Sequence, residues 1–254
     1  VRASSVALVI PCYNEAARLD VRALTDARLR ERSLELVLVD DGSRDDTRAV
    51  LESIARDRPG VHVVALDRNG GKAEAVRRGV LDALGRSPDA VGFWDADLAT
   101  PLSELPAFVD VLDSRPEAEI VIGSRVKLMG RLIERQAWRH YTGRVFATAA
   151  SLALELPVYD TQCGAKLFRA TPLLARVFEQ SFLTRWIFDV EIIARFMALD
   201  PRGPEHVTRS LVELPLTRWV DVHGSKVKAR DFLRAGLDLA LIRRTYPRQR
   251  APRA

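Results

Sequence analysis

Five short apolar runs, residues 6–10, 34–39, 61–66, 90–94 and 120–124, punctuate the first half of this chain, with helix-like stretches between them. Continuous apolar runs of this length are the pattern of strands buried on both faces. Strand and helix alternating at this spacing predict an α/β fold with an open, mostly parallel, doubly wound sheet. A polar cluster follows each run: Pro11-Cys12-Tyr13-Asn14-Glu15, Asp40-Asp41-Gly42-Ser43, Asp67 to Lys72, Asp95-Ala96-Asp97, and Arg125. Ligands of open α/β sheets bind outside the carboxyl ends of the strands. The clusters therefore converge on one edge, where a nucleotide site is expected.

Residues i and i+2 of a strand share a face, so Asp95 and Asp97 leave the fourth strand on the same side. Hard carboxylate oxygens suit Mg²⁺ or Mn²⁺, which usually hold substrate phosphates as well. The plainer alternative is a helix cap beside a solvated turn. Asp40 and Asp41 at a strand end suit ribose or base recognition, while Ser43 and Asp46 resemble a capping box with Asp in place of Glu. Gly70-Gly71 permits a tight turn and close backbone approach, and Lys72 begins the next helix. The helix dipole disfavours a cation there, so Lys72 either serves an anion or is solvated beside the turn.

The character changes after Arg125. Residues 127–144 are basic, with Arg131, Arg135, Arg139 and Arg144 among Leu132, Ile133, Trp138 and Tyr141. Residues 145–156 read as a buried helix, with a membrane interface as the alternative. Asp189 and Glu191 open a helix running to about residue 199, where Asp189 can cap and Glu191 can pair with Arg195. Helices are also expected over about 16–30, after Thr100-Pro101, and over 227–243, where Phe232, Leu233, Leu237, Leu239, Leu241 and Ile242 form an apolar stripe. A last strand is expected over 207–216, and disorder over 247–254.

With 254 residues, 47% of them apolar, the chain fits one large domain or a domain with an appendage. Cys12 and Cys163 have no metal-ligand spacing and read as free thiols of a reducing compartment, a single disulfide being the other possibility. No signal-peptide pattern opens the sequence, and no apolar run approaches the ~18 residues of a membrane span. The net charge of +5 is modest for a nucleic-acid binder. Residues 225–254 hold nine Lys/Arg against two Asp/Glu, but Phe232 and Tyr246 are their whole complement of stacking aromatics. No nucleic-acid partner is expected; phosphate, anionic lipid or water can meet that charge.

Seven motifs in order, Pro11-Cys-Tyr-Asn-Glu15, Asp40-Asp-Gly-Ser43, Asn69-Gly-Gly-Lys72, Asp95-Ala-Asp97, Asp160-Thr-Gln-Cys-Gly164, Phe188-Asp-Val-Glu191 and Gly224-Ser-Lys226, resemble the GT-A glycosyltransferases of family two. Within them the chain is most similar to the dolichyl-phosphate (polyprenyl-phosphate) glucosyl- and mannosyltransferases, and the fifth and sixth motifs look like the glucosyl branch. The resemblance covers roughly residues 6–227. It implies a GT-A domain over 1–227, divided into a nucleotide-sugar half, 1–125, and an acceptor half, 126–227, with a basic amphipathic tail over 228–254. It further implies that Pro11, Tyr13, Glu15 and Asp41 hold the base and ribose, with Lys72 beside the nucleotide. Asp95 contacts the ribose or the metal's water shell, and Asp97 ligates Mg²⁺ or Mn²⁺. Arg125, Arg139 and Arg144 grip an acceptor phosphate, Gln162 and Lys166 line the sugar and acceptor region, and Asp189 and Glu191 stand where the wider family places its catalytic carboxylate.

The reaction so implied is inverting transfer of a hexose, glucose favoured, to a polyprenyl phosphate. UDP-glucose is the favoured donor and GDP-mannose the other. The alternative is a soluble transferase acting on a hydroxyl, for which Asp189 or Glu191 is the base. A nucleotidyltransferase lacks support because no glycine-rich basic loop follows the first strand, and a non-catalytic binding or scaffold protein has no need of the metal and acceptor residues. Two departures stand out: Ala73 replaces a frequent glycine, and the membrane-spanning helices of related enzymes have no counterpart here. The expected location is cytoplasmic, peripheral on the inner face of the membrane.

Overall fold

The computed structural model describes residues 3–134, 137–220 and 229–247; the side chains of residues 134–144 and 221–233 lie outside that description. The five apolar runs form β1 (Ser5–Cys12), β2 (Ser33–Asp40), β3 (Val61–Ala65), β4 (Ala90–Trp94) and β5 (Ile120–Ser124). With β7 (Ala165–Arg169) and β8 (Leu211–Pro215) they make a seven-stranded sheet of order β3-β2-β1-β4-β7-β5-β8. β7 is antiparallel to both β4 and β5, whereas β8 is parallel to β5. The start of β7 therefore lies at the edge where its neighbours end. A smaller sheet pairs β6 (Leu132–Glu134) with β9 (Arg218–Val220).

Helices α2 (Thr47–Asp57), α3 (Lys72–Leu84) and α4 (Leu105–Ser114) cover the sheet. α4 buries Leu105, Phe108, Val109 and Leu112, the spacing of one helical face. α6 (Pro172–Glu179) starts as its sequence dictates, with Pro172 in the first turn and the Thr171 side chain accepting from Leu174 N. α7 (Phe188–Leu199) is buried along almost its whole length. Phe188 meets Phe93 and Phe182 at centroid distances of 5.9 and 5.7 Å, and Phe168 stacks on Phe196 at 6.0 Å. Each fully buried phenylalanine stabilises by roughly 1.5–3 kcal/mol. This aromatic layer fixes the first turn of α7 above the end of β4 and the start of β7.

α5 (Ala137–Leu154) and α9 (Ala229–Thr245) pack together against α7. α5 buries Phe146, Ala147, Ala150 and Leu154 while Val145 and Leu152 are exposed, so burial holds for one face. The stripe expected on the last helix divides likewise: Leu239 and Ile242 are buried, but Leu237 and Leu241 face solvent. Among the described residues no helix is long and apolar enough to cross a membrane.

Three expectations need correction. The helix foreseen over 16–30 is only α1 (Val21–Asp26), because Thr47 and Asp45 draw off the backbone N–H groups of Glu15 and Ala16, and Asp20 caps a later start. The helix after Thr100-Pro101 opens with a 3-10 turn (Leu102–Glu104), and the Thr100 carbonyl accepts from Trp94 Nε1 at 2.8 Å. Most of the first half of the strand foreseen over 207–216 is instead α8 (Pro204–Ser210), started by Gly203 and Pro204.

Candidate active site

At the ends of β1 and β2 the chain is held mostly by side chain to backbone bonds. Pro11, Tyr13 and Glu15 are half-buried there. Asn14 N donates to Ser43 Oγ at 3.0 Å, and Glu15 N donates to Thr47 Oγ1 at 2.8 Å. Ser43 thus braces the β1 loop and is not the helix cap its spacing suggested; Asp46 occupies the N-cap of α2 without a side-chain cap bond. Glu15 pairs with Arg18 at 2.7 Å. Asp41 is buried, and its carboxylate accepts from Gly70 N at 2.7 Å, Gly71 N at 2.8 Å and Asn69 Nδ2 at 2.9 Å. Burial raises its pKa, and the two backbone donors offset part of that rise. Asp41 therefore shapes the Asn-Gly-Gly turn directly. Gly42, at φ +65°, makes this possible: a Cβ there would lie 2.5 Å from the Arg68 carbonyl carbon.

The turn delivers Lys72 to the first residue of α3, where it ion-pairs with Asp95. Burial alone would lower the Lys72 pKa, but the charges of Asp95, Asp189 and Asp97 outweigh it and hold the ammonium above its usual value. Lys72 is thus kept charged by three carboxylates, in contact with Asp95, and lies 5.8 Å from the Phe188 ring centre. Asp95 Oδ1 is otherwise buried without a hydrogen bond of regular geometry. Gly164 makes room for that carboxylate: a Cβ at Gly164 would fall 2.0 Å from Asp95 Oδ2, and the Gly164 carbonyl accepts from Asp95 N at 3.0 Å. Asp97 has an exposed surface, and its Oδ1 accepts from Ala99 N at 3.1 Å. Surrounding protein and then the Asp95 charge raise its pKa. A crowded pair of carboxylates, one with an oxygen free of described hydrogen-bond donors, is a donor set that fits a hard divalent cation.

Across the sheet Arg125 grips Asp160 through two 2.7 Å bonds, from Nε and Nη2, and lies 5.4 Å from the Trp219 ring. Desolvation opposes its charge, but Asp160 holds it firmly protonated. Glu213 accepts from Tyr159 N and Asp160 N, so the 159–164 loop is fastened on two sides. Lys166, wholly buried, donates to Asp189 Oδ1 at 2.5 Å and to the Cys163 carbonyl at 2.6 Å. Asp189 is buried at the start of α7 in this pair and not in a cap. Glu191 is 0% exposed and accepts from Leu183 N, Thr184 N and Arg195. The expected pairing with Arg195 is present, at 2.8 Å. A carboxylate so enclosed braces the loop before α7. Cys12 and Cys163 are buried free thiols; burial lifts the Cys163 pKa to about 11.

Lys72, Asp95, Asp97, Gln162, Lys166 and Asp189 thus gather at one sheet edge, with Asp41 and Arg125 fastening its two sides. The side chains of Arg139 and Arg144, with those of Trp138, Tyr141, Phe232 and Leu233, the Gly224-Ser-Lys226 motif and residues 248–254, lie outside the described residues. Sequence reasoning missed Arg185, whose Nη2 donates to the Gly70 carbonyl at 3.0 Å and so ties the loop before α7 to the turn; no local signal marks it. A second acidic group, Glu119, Asp200 and His206, has metal-compatible spacing. It sits at the opposite end of β5, and Arg202 fills it, bonding Glu119 at 2.6 Å and Asp200 at 2.9 Å.

The family description "Glycosyl transferase family 2" matches residues 7–174. The dolichyl-phosphate beta-glucosyltransferase of Saccharomyces cerevisiae is 31% identical over 95% of this chain and 75% of its own length. The human protein of the same name is also 31% identical, again over 95% and 75%. Among solved structures, glucosyl-3-phosphoglycerate synthase from Mycobacterium tuberculosis in complex with Mn²⁺ and UDP-glucose superimposes with a TM-score of 0.68 at 19% identity, over 98% of this chain and 81% of that one. That likeness extends to the fold, which is GT-A. With the family match and the relatives' identity together, the chain belongs to glycosyl transferase family 2.

Proposed function

We propose that this enzyme transfers glucose from UDP-glucose to a polyprenyl phosphate of the dolichyl type, with inversion and with the help of Mg²⁺ or Mn²⁺. The relatives' names support the acceptor and sugar, and the Mn²⁺ and UDP-glucose of the structural neighbour support the donor and metal. Residues 1–125 take the donor and 126–227 the acceptor. Pro11, Tyr13 and Glu15 hold the base and ribose, with Asp41 acting through the turn it braces. Asp97, with Asp95, is the set that would hold the metal, which supplies Lewis-acid relief of charge on the departing diphosphate. Lys72 adds a fixed positive charge beside it. Arg125 positions the 159–164 loop, Arg139 and Arg144 grip the acceptor phosphate, and Gln162 and Lys166 border the sugar.

The observation that carries the choice of acceptor is the state of the two candidate bases. Asp189 is locked to Lys166 and Glu191 is saturated by its own loop. A hydroxyl acceptor needs a base to take its proton. A phosphate monoester needs none, its second pKa being about 6. Its oxygen attacks the anomeric carbon as the bond to UDP breaks, and the electron pair leaves with UDP. Arginines then have only to place the nucleophile in line. Offering UDP-glucose with a polyprenyl phosphate or with the polyprenol of equal length, with Mn²⁺ or with EDTA, tests this. Metal-dependent transfer to the phosphate alone supports the reading; transfer to the alcohol replaces it with the hydroxyl-acceptor reaction.

A further inference from the structure

Three buried polar atoms at this edge have no hydrogen-bond partner among the described residues: Ser124 Oγ, Thr161 Oγ1 and Gln162 Nε2. Ser124 and Thr161 are each 1% exposed. They belong to one junction, because Arg125 follows Ser124 and its N donates at 3.0 Å to Asp160, which precedes Thr161. The sheet register gives Ser124 its direction. Ile122 pairs with Lys166, and Phe93 pairs with Lys166 from the other side. Side chains two residues apart share a face, so Ser124 and Asp95 stand on the face of Lys166, toward Asp189. Gly164 lies between them, and the Asp95 carboxylate fills the space where its side chain would stand.

Unpartnered buried polar atoms are destabilising and are rare in folded proteins. Three together at a ligand-binding edge are groups whose partners arrive with the ligand. The local charge decides which ligand. Arg125 is matched by Asp160, Lys166 by Asp189, and Lys72 by Asp95. Among the described residues these pairings leave no cation here for a phosphate, whereas hydroxyl and amide groups suit a neutral polyol. Resting on the donor assigned above, we infer that Ser124 and Thr161, with the Gln162 amide, bind hydroxyls of the hexose being transferred and select the donor sugar.

Calorimetric titration with UDP and with UDP-glucose, each with Mn²⁺, separates hexose from nucleotide. The wild type is compared with Ser124→Ala, Thr161→Val and Thr161→Ser. UDP should bind equally to all four. UDP-glucose should bind about tenfold more weakly to Ser124→Ala and Thr161→Val, the loss of one neutral hydrogen bond, and normally to Thr161→Ser, which keeps the hydroxyl. Because each hydroxyl is unpartnered in the free protein, the melting temperatures of Ser124→Ala and Thr161→Val should equal or exceed that of the wild type. Unchanged UDP-glucose binding, as a site filled by buried water would give, overturns the inference. So does parallel weakening of UDP and UDP-glucose with a fall in melting temperature, which marks a structural role, and so does a wild type that binds UDP but not UDP-glucose. A wild type that binds neither removes the donor itself, and this inference with it.

Discussion

Lys166 Nζ lies 2.5 Å from Asp189 Oδ1, and both side chains are sealed inside the protein, one on β7 and the other in the first turn of α7. Separating such a pair leaves one charge buried without compensation, at about 3–5 kcal/mol. Lys166→Met should therefore lower the unfolding free energy by that amount in a urea titration. The double variant Lys166→Met, Asp189→Leu removes both charges and should recover most of the loss. If the single and double variants are equally unstable, packing and not charge dominates at this position.

Asp97 has the opposite character, a carboxylate more comfortable when neutral. Although its surface is exposed, partial desolvation by the surrounding protein and the neighbouring Asp95 charge raise its folded pKa. The folded state then keeps the proton at a pH where the unfolded state has lost it. Ionised Asp97 consequently weakens the metal-free fold above its folded pKa, and the effect fades as the pH falls to the unfolded value near ~3.9. In EDTA at pH 7, Asp97→Asn should melt higher than the wild type, and the gap should close toward pH 4. Mn²⁺ should raise the melting temperature of the wild type but much less that of the variant. Transfer by the variant should fall at least about a hundredfold, ~2.7 kcal/mol in the barrier.

Much of this arrangement was legible in the sequence because it rests on strand ends. An apolar run that stops at Trp94 must put Asp95 and Asp97 at the sheet edge whatever the rest of the chain does. What the sequence did not reveal were partners brought from afar. Asp41 next to Asp40 gave no sign that its oxygens belong to the 69–71 turn, 28 to 30 residues on. Arg125 likewise gave no sign of its Asp160 partner, 35 residues on. Glu191 was visible as an i,i+4 partner of Arg195, but the loop amides that saturate it come from residues before the helix. Helix lengths failed where backbone N–H groups were claimed by tertiary contacts, as at Glu15 and Ala16.

Gly164 offers a sharper test of the edge geometry. A Cβ there would overlap the Asp95 carboxylate, 2.0 Å from one oxygen, and one of the two must move. Gly164→Ala should displace Asp95 from Lys72 and abolish metal-dependent transfer, with an overpacking loss of about 1–3 kcal/mol in stability. Activity and thermal melting of the variant check this together. A normally active Gly164→Ala would mean that the Asp95 position is not needed for transfer.

The most direct measurement of whether transfer proceeds without an enzymic base is the pH dependence of kcat/KM with a short polyprenyl phosphate. Wild type and Asp189→Asn are compared over a range in which circular dichroism shows both folded. The amide of the variant keeps an oxygen for Lys166 but cannot accept a proton. If the acceptor phosphate is the nucleophile, both profiles should rise together as its second proton leaves near pH ~6 and should differ by less than about tenfold. A folded Asp189→Asn that has lost the 10²–10⁴-fold typical of general-base catalysis would contradict the phosphate acceptor and make Asp189 the base for a hydroxyl.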